Sequence, residues 1–444
     1  MIAAAGDVAL SHEQKSTWRR RLDALRRGAG FWAMADQGLV SLGNFLTVIL
    51  LARRMSLIEF GAFAVLFEVI LFLNSIGASL IIYPLCVKGA VGDRDELRRL
   101  TGASLIMTLL LCVPLGLGAV IGAWAVGRIS LAAWVIAAML VWQLQETLRR
   151  ALTSHMRFLA ALPGDVISYL GQVVYLAWFA WHGHITLEIA FASIAISSLI
   201  GAALQWMQVK PLAPSLKQLI ERSREFWRTG YWATLSNLTT FLTVPSFAWV
   251  LGIFQGLAAV AIFQSFANLL KVANPIMNTV ANLMIPAGSK ANRDGGVALA
   301  WRKSSVYALQ GAALLLPYFL VLFLAPHLVI RLAYGPQSPC LEYANMMRIY
   351  VLGYGVIYLS QITNAFLLSL HASRSAFMAQ LSNVGACVVL GLPLAAVAGI
   401  CGAVWGNLAA TAARVIVGVI LIAQLARREA PLFNDTKLDG MVPS

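Results

Sequence analysis

The sequence predicts an all-α polytopic membrane protein, and three observations predict it. Of the 444 residues 59% are hydrophobic and only 12% are charged, and the mean hydropathy of +0.76 lies well above that of a soluble domain built on one core. Apolar stretches long enough to cross a hydrocarbon layer of roughly 30 Å, which takes about 20 helical residues, recur from residue 31 to residue 425. The polar breaks between them alternate between rich and poor in Lys and Arg, as loops on the two sides of a membrane do.

Twelve spans are expected, at 31–53, 59–87, 101–126, 131–150, 163–182, 186–208, 229–253, 257–285, 304–326, 346–369, 375–397 and 402–425. What precedes them, residues 1–30, is a basic arm whose HEQKSTWRRRLDALRRG suits a helix lying on anionic lipid. Its TWRRRL superficially resembles a twin-arginine export signal. The apolar run that follows continues into a full span with no A-x-A-like site, so an uncleaved first helix is expected. With the arm in the cytoplasm, 26 of the 33 cationic residues fall on its side and five on the other, which places both termini, including the tail 426–444, in the cytoplasm. The net charge of +14 is therefore mostly a topology signal, and no nucleic-acid partner is expected.

Spans one to six form an N-terminal lobe, 31–208, and spans seven to twelve a C-terminal lobe, 229–425, joined by a cytoplasmic connector, 209–228, with two prolines and five cations. Internal similarity supports the division. QETLRRALTSH (145–155) and QITNAFLLSLH (361–371) each place Gln ten residues before His at the end of a span, and spans one and seven carry Asn44 and Asn237 ahead of long spans that reach Pro84 and Pro286. Such halves suggest a transporter with its substrate site between them.

Polar residues inside the spans are striped. At about 100° per residue, Gln264, Asn268, Lys271, Asn274, Asn278 and Asn282 of span eight share an arc of roughly 120°. Lipid does not tolerate such a stripe, so it faces protein or water. Asp36, Gln37, Ser41, Asn44 and Thr47 line up on span one, a Ser/Asn/Thr face including Asn237 on span seven, Glu68 with Ser75 and Ser79 on span two, and Asn407, Thr411 and Arg414 on span twelve. Span ten stacks Tyr350, Tyr354, Tyr358, Gln361 and Asn364, and tyrosine rings with polar tips suit sugars. Together these predict a hydrated central cavity, although Asn, Ser and Thr also serve helix packing and Tyr350 also fits an aromatic belt.

Lys271, Arg414, Asp36 and Glu68 are ionisable at mid-span, where such groups serve a pathway, a relay or a pair. The bland alternative is a salt bridge of Lys271 or Arg414 with Asp36 or Glu68 that clamps the lobes. Other charges have local explanations: Asp165 after Pro-Gly as an N-cap, Glu146 as an interfacial partner of Arg149 and Arg150, Glu188 in a first helical turn. His182 and His184 are two ligands at most, and the five cysteines form no C-x-x-C pair, so no metal, disulfide or cofactor is expected. A Walker-type loop and a catalytic Asp/His constellation are both lacking, so no enzyme is predicted.

DQGLVSLGNFLTVILLARRMSLIEFGAFAV (36–65), LRRALTSHMRFLAALPGDVI (148–167), NPIMNTVANLMIPAGSKA (274–291) and GICGAVWGNLAA (399–410) resemble the multidrug/oligosaccharidyl-lipid/polysaccharide flippase superfamily, and within it the polysaccharide exporters and O-antigen flippases. The resemblance covers essentially the whole chain, in diffuse motifs. It implies alternating access between two six-helix bundles in the bacterial inner membrane, with a glycan on undecaprenyl pyrophosphate as cargo. It also implies pathway glycosyltransferases and a polymerase as functional partners, besides membrane lipids. On that reading Lys271 and Arg414 meet the headgroup, Asn268, Asn278, Asn237, Tyr354, Tyr358 and Gln361 meet sugar, and Asp36 and Glu68 carry a coupling ion or an internal pair. A cation-coupled drug antiporter of the same fold, a lipid II flippase and a non-transporting scaffold are the competing readings.

Overall fold

The computed structural model describes residues 29–438 except 90–92, 156, 184 and 242, so most of the basic arm and His184 lie outside the described residues. Helices account for nearly all of them. In chain order these are α1 (Ala29–Arg54), α2 (Leu57–Gly89), α3 (Arg94–Ala125), α4 (Ala132–Ser154), α5 (Phe158–His182), α6 (Leu187–Val209), α7 (Leu216–Phe241), α8 (Val244–Phe254), α9 (Leu257–Lys271), α10 (Asn274–Leu324), α11 (Pro326–Tyr334), α12 (Met346–Ser369), α13 (Ser373–Ala386) and α14 (Leu392–Leu438).

Among the described residues nine helical segments are long and apolar enough to cross a membrane. They differ from the twelve expected spans in four places. Span seven is broken between α7 and α8, span eight is interrupted at Val272 and Ala273 between α9 and α10, spans eight and nine are joined in α10, and spans eleven and twelve are joined through α13 and α14. The run-together helices bend at glycine: Gly296 has φ 71° after Gly295, and Gly399 has φ 60° within α14. Only glycine adopts such angles freely, and the non-helical backbone at Gly295, Gly296 and Gly399 kinks each of these helices into two.

Hydrophobic packing falls into two sets of cores. Phe63, Met139 and Phe191, and separately Leu85, Leu100 and Leu148, anchor cores drawn mainly from α1–α6, with Ala261 of α9 joining the first. Phe247, Phe266 and Tyr350, and separately Met277 and Phe366, anchor cores drawn mainly from α8–α14, with Ala64 of α2 joining the first. The two sets share a device. A single π-helical turn interrupts α5 at Val166–Leu170, and an equivalent one joins α13 to α14 at Cys387–Gly391. Helix α7 crosses between the sets: Phe226 is buried among the residues of α2, α3 and α4, while the chain beyond Phe241 belongs to the second set. The second half of the expected connector is thus helical and continuous with the start of span seven.

Candidate functional site

Between the two bundles lies a cavity of about 780 Å³. Met34 and Gln37 of α1 and Arg150 near the end of α4 form one wall, and Asn278, Asn282, Tyr307 and Gln310 of α10 form the other. It lies on the side where α1 begins and α4 ends. Asn278 and Asn282 come from the predicted stripe. Its upper members turn elsewhere because α9 ends at Lys271 and the helix restarts at Asn274.

From mid-span to the opposite end, where α1 finishes and α2 and α9 start, the bundles are closed. Gln264 Nε2 donates to Glu68 Oε1 at 2.9 Å, and Lys271 Nζ lies 3.8 Å from the same oxygen, a charge contact longer than a hydrogen bond. Asn268 Nδ2 donates to the Phe45 carbonyl at 3.4 Å. The Arg53 guanidinium donates to the carbonyls of Leu332 and Ala333, the last turn of α11, where a cation also meets the negative end of the helix dipole. A Cβ on Gly61 would sit 1.9 Å from the Leu257 carbonyl oxygen, so α2 and α9 touch backbone to backbone there.

Of the pairings expected between Lys271 or Arg414 and Asp36 or Glu68, the one between Lys271 and Glu68 is present. The Glu68 side chain is 10% exposed and Lys271 43%. Asp36 pairs instead with Arg149, whose side chain is 3% exposed and spends every polar atom on carboxylates. Its Nη2 bonds Asp36, its Nε donates to Asp165 Oδ2 at 3.0 Å, and its Nη1 donates to Glu146 at 3.1 and 3.2 Å. Gln145 and Gln205 donate to the remaining Asp165 oxygen at 3.0 and 3.1 Å. Two sequence expectations are corrected here. Asp165 is not an N-cap, because the helix starts seven residues earlier at Phe158 and runs through it. Arg149 is not half of an interfacial pair, because α4 continues to Ser154 and Arg149 is buried within the first bundle. Glu146 does hold both arginines as expected, Arg150 Nε at 2.6 Å. Close approach of α5 and α6 at Gly164 and Gly201 brings Gln205 to the cluster: a Cβ on Gly201 would lie 2.8 Å from the Gly164 carbonyl oxygen.

The tyrosine face of span ten does not reach the cavity described. Tyr358 is buried and donates to the Ala308 carbonyl at 2.6 Å, and Tyr350 is buried edge-on to Phe263 and Phe266. Tyr354 packs against both cores of the second bundle. Their shared face turns toward α9 and α10, so the rings fill their own bundle. Asn237 sits between α7 and α2, donating to Ser79 Oγ at 2.6 Å. Arg414 is half-buried with its Nε unpartnered, and so is the Gln361 Oε1. Packing of Gly353 on Leu408 and Gly418 on Thr363 sets α12 and α14 side by side and puts Arg414 and Gln361 near one level. His182 is bonded to the Trp178 carbonyl at 2.9 Å and lies tilted against its ring, with centroids 4.0 Å apart.

Two helical bundles with a cavity between them form an architecture that solved transporters share. A multidrug resistance MATE family transporter of the MOP superfamily, in an inward-facing conformation, superposes with a TM-score of 0.69 at 16% identity over 87% of this chain and 95% of its own. A eukaryotic MATE transporter gives 0.60 at 15% over 89% and 97%. A MOP superfamily transporter from Pyrococcus furiosus gives 0.57 at 17% over 90% and 96%. No curated protein matches the chain. Residues 50–339 match the family described as polysaccharide biosynthesis protein, and the chain belongs to that family. It is a multi-pass membrane protein with the fold of the MATE and MOP superfamily transporters.

Proposed function

We propose that this transporter moves a lipid-linked glycan, carried on undecaprenyl pyrophosphate, across the bacterial inner membrane by alternating access. The observation that carries the reading is the cavity between the bundles, whose largely apolar walls carry amides from both sides and one guanidinium, closed beyond by bonds between the bundles. Asn278, Asn282, Gln37 and Gln310 offer the donors and acceptors that sugar hydroxyls use, and Arg150 offers charge to a pyrophosphate. With both termini cytoplasmic, the cavity faces the cytoplasm, where such a lipid is assembled. Lobes 31–208 and 229–425 are the moving bodies, and the first half of α7 travels with the first. When the far end opens, Lys271 leaves Glu68 and is available to the headgroup. Arg414, unpartnered, and Gln361 serve the second bundle's wall.

Proteoliposomes loaded with a fluorescent lipid-linked oligosaccharide test this. The wild-type protein is expected to expose the label to the opposite leaflet, and Lys271→Ala and Arg414→Ala to insert normally yet flip at least tenfold more slowly. Full flipping by both variants removes their role. A wild type that moves cationic dyes and no lipid-linked glycan belongs to the antiporter reading instead.

A further inference from the structure

We propose that Arg150 and Glu146 form a proton-linked anion site: an anionic phosphate entering the cavity takes Arg150 from Glu146, and the cluster behind it takes up one proton. The proposal rests on the cavity reading above and adds how occupancy is sensed.

The geometry is that of a relay with one exposed end. Arg150 is 41% exposed and lines the cavity. Its Nε bonds Glu146 Oε1 at 2.6 Å, and the same carboxylate accepts from the buried Arg149 at 3.1 and 3.2 Å. Arg149 in turn holds Asp36 and Asp165. Three carboxylates therefore share two guanidinium groups, and the Asp36 Oδ1 is buried with no hydrogen-bond partner. The other titratable groups facing Glu146 and its arginines are Tyr169 on α5 and Cys86 on α2.

A phosphate oxygen accepting from Arg150 leaves Asp36, Glu146 and Asp165 with Arg149 alone. Uncompensated carboxylate in a dry bundle is costly, and a proton from cavity water restores the balance most cheaply. Glu146, 21% exposed and bonded directly to the cavity-lining Arg150, is the first to receive it. Release of the anion returns Arg150 to Glu146 and expels the proton. One proton is thus taken up per anion bound, no covalent bond is made or broken, and bound cargo leaves a mark on the first bundle's charge.

The probe must not titrate itself. UDP-glucose is a disubstituted pyrophosphate with no titrating phosphate oxygen from pH 5.5 to 8. Calorimetry on the purified full-length protein, in buffers of differing ionisation enthalpy, is expected to show uptake approaching one proton per UDP-glucose and affinity falling up to about tenfold per pH unit. Glu146→Gln is expected to bind at least as tightly, with no proton uptake and a flat pH profile. Arg150→Gln is expected to lose at least tenfold in affinity, and Arg150→Lys to regain part of it. Absence of binding by the wild type, a flat wild-type profile, uptake that persists in Glu146→Gln, or wild-type affinity in Arg150→Gln each overturns the proposal. The glycan reading fails separately: linked binding without any flipping of lipid-linked oligosaccharide leaves this site standing, and flipping untouched by Arg150→Gln leaves only the reading.

Discussion

Arg149 and Lys271 are both cations within the helical bundles, yet only one announced itself in the sequence. Lys271 stands in an amide stripe inside an apolar run, so its oddity could be seen on one helix, and Glu68 was among its foreseeable partners. Arg149 had a sufficient local explanation, Glu146 three residues earlier, and its other partners come from α1 and α5. No single-helix pattern carries that information. The i, i+4 pair Gln145 and Arg149 was the available signal, since both point to one face and neither suits lipid. The span tyrosines misled for the opposite reason. A polar stripe shows that a face avoids lipid, and it does not say whether water or the helix's own bundle covers it. Arg149→Ala strands Asp36 and Asp165 inside the first bundle and leaves Glu146 to Arg150, so it is expected to destabilise the protein by about 3–5 kcal/mol, while Asp165→Asn, which keeps an acceptor for Arg149, costs less. Thermal unfolding followed by fluorescence-detected size exclusion in detergent checks this. Equal midpoints for Arg149→Ala and wild type would show the cluster to be energetically idle.

Among the elements, the spans of the first bundle lay close to their expected positions because their loops are polar and short. Those of the second were harder to separate. Helix α10 carries its turn on Gly295 and Gly296 with helical residues either side, so hydropathy locates two crossings and the non-helical backbone of those two glycines kinks the chain between them. Helix α7 shows the reverse. Its first half is charged, which reads as a loop, but Phe226 gives it an apolar face and ion pairs tie down the polar one: Arg222 with Glu96 and Glu225, and Lys88 with Glu225 at 2.6 Å. The hydrogen bond from Lys88 holds the Glu225 carboxyl below the usual carboxylate range. A depressed pKa contributes stability above the unfolded value that is lost as pH falls through the folded one, and at this half-exposed site that is under about 1 kcal/mol. Backbone contact is the stronger constraint. A methyl on Gly230 would meet the Ser79 carbonyl oxygen at 2.6 Å and the Leu80 Cα at 2.8 Å, so α7 cannot keep its place on α2. Gly230→Ala is expected to lower thermal stability by about 1–3 kcal/mol, as overpacking does. The same measurement on Gly38→Ala, where nothing lies within 4 Å, is expected to show no loss.

For the whole molecule, the closed end decides which face the cavity presents. It is held by few groups: the Arg53 cap on α11, the Glu68 pair with Gln264 and Lys271, and the Asn268 bond to Phe45. Such a latch suits a transporter, which needs two states within a few kcal/mol of each other, since a strongly bonded closure would trap one of them. Exposed Arg53 hydrogen bonds and a 3.8 Å ion pair are each worth little alone, roughly 1 kcal/mol, and together enough to shift a balanced equilibrium severalfold. Arg53→Ala combined with Glu68→Gln is therefore expected to populate a state open at this end without unfolding either bundle. Spin labels at Ile58 on α2 and Leu328 on α11, both exposed, report it on a background with the native cysteines replaced. The wild type is expected to show one short distance distribution. The double variant is expected to add a longer component that shrinks again when Arg53 is restored. A single unchanged distribution in the double variant would place the closing force in the backbone contact at Gly61 and Leu257, and Gly61→Ala would then be the substitution that opens the molecule.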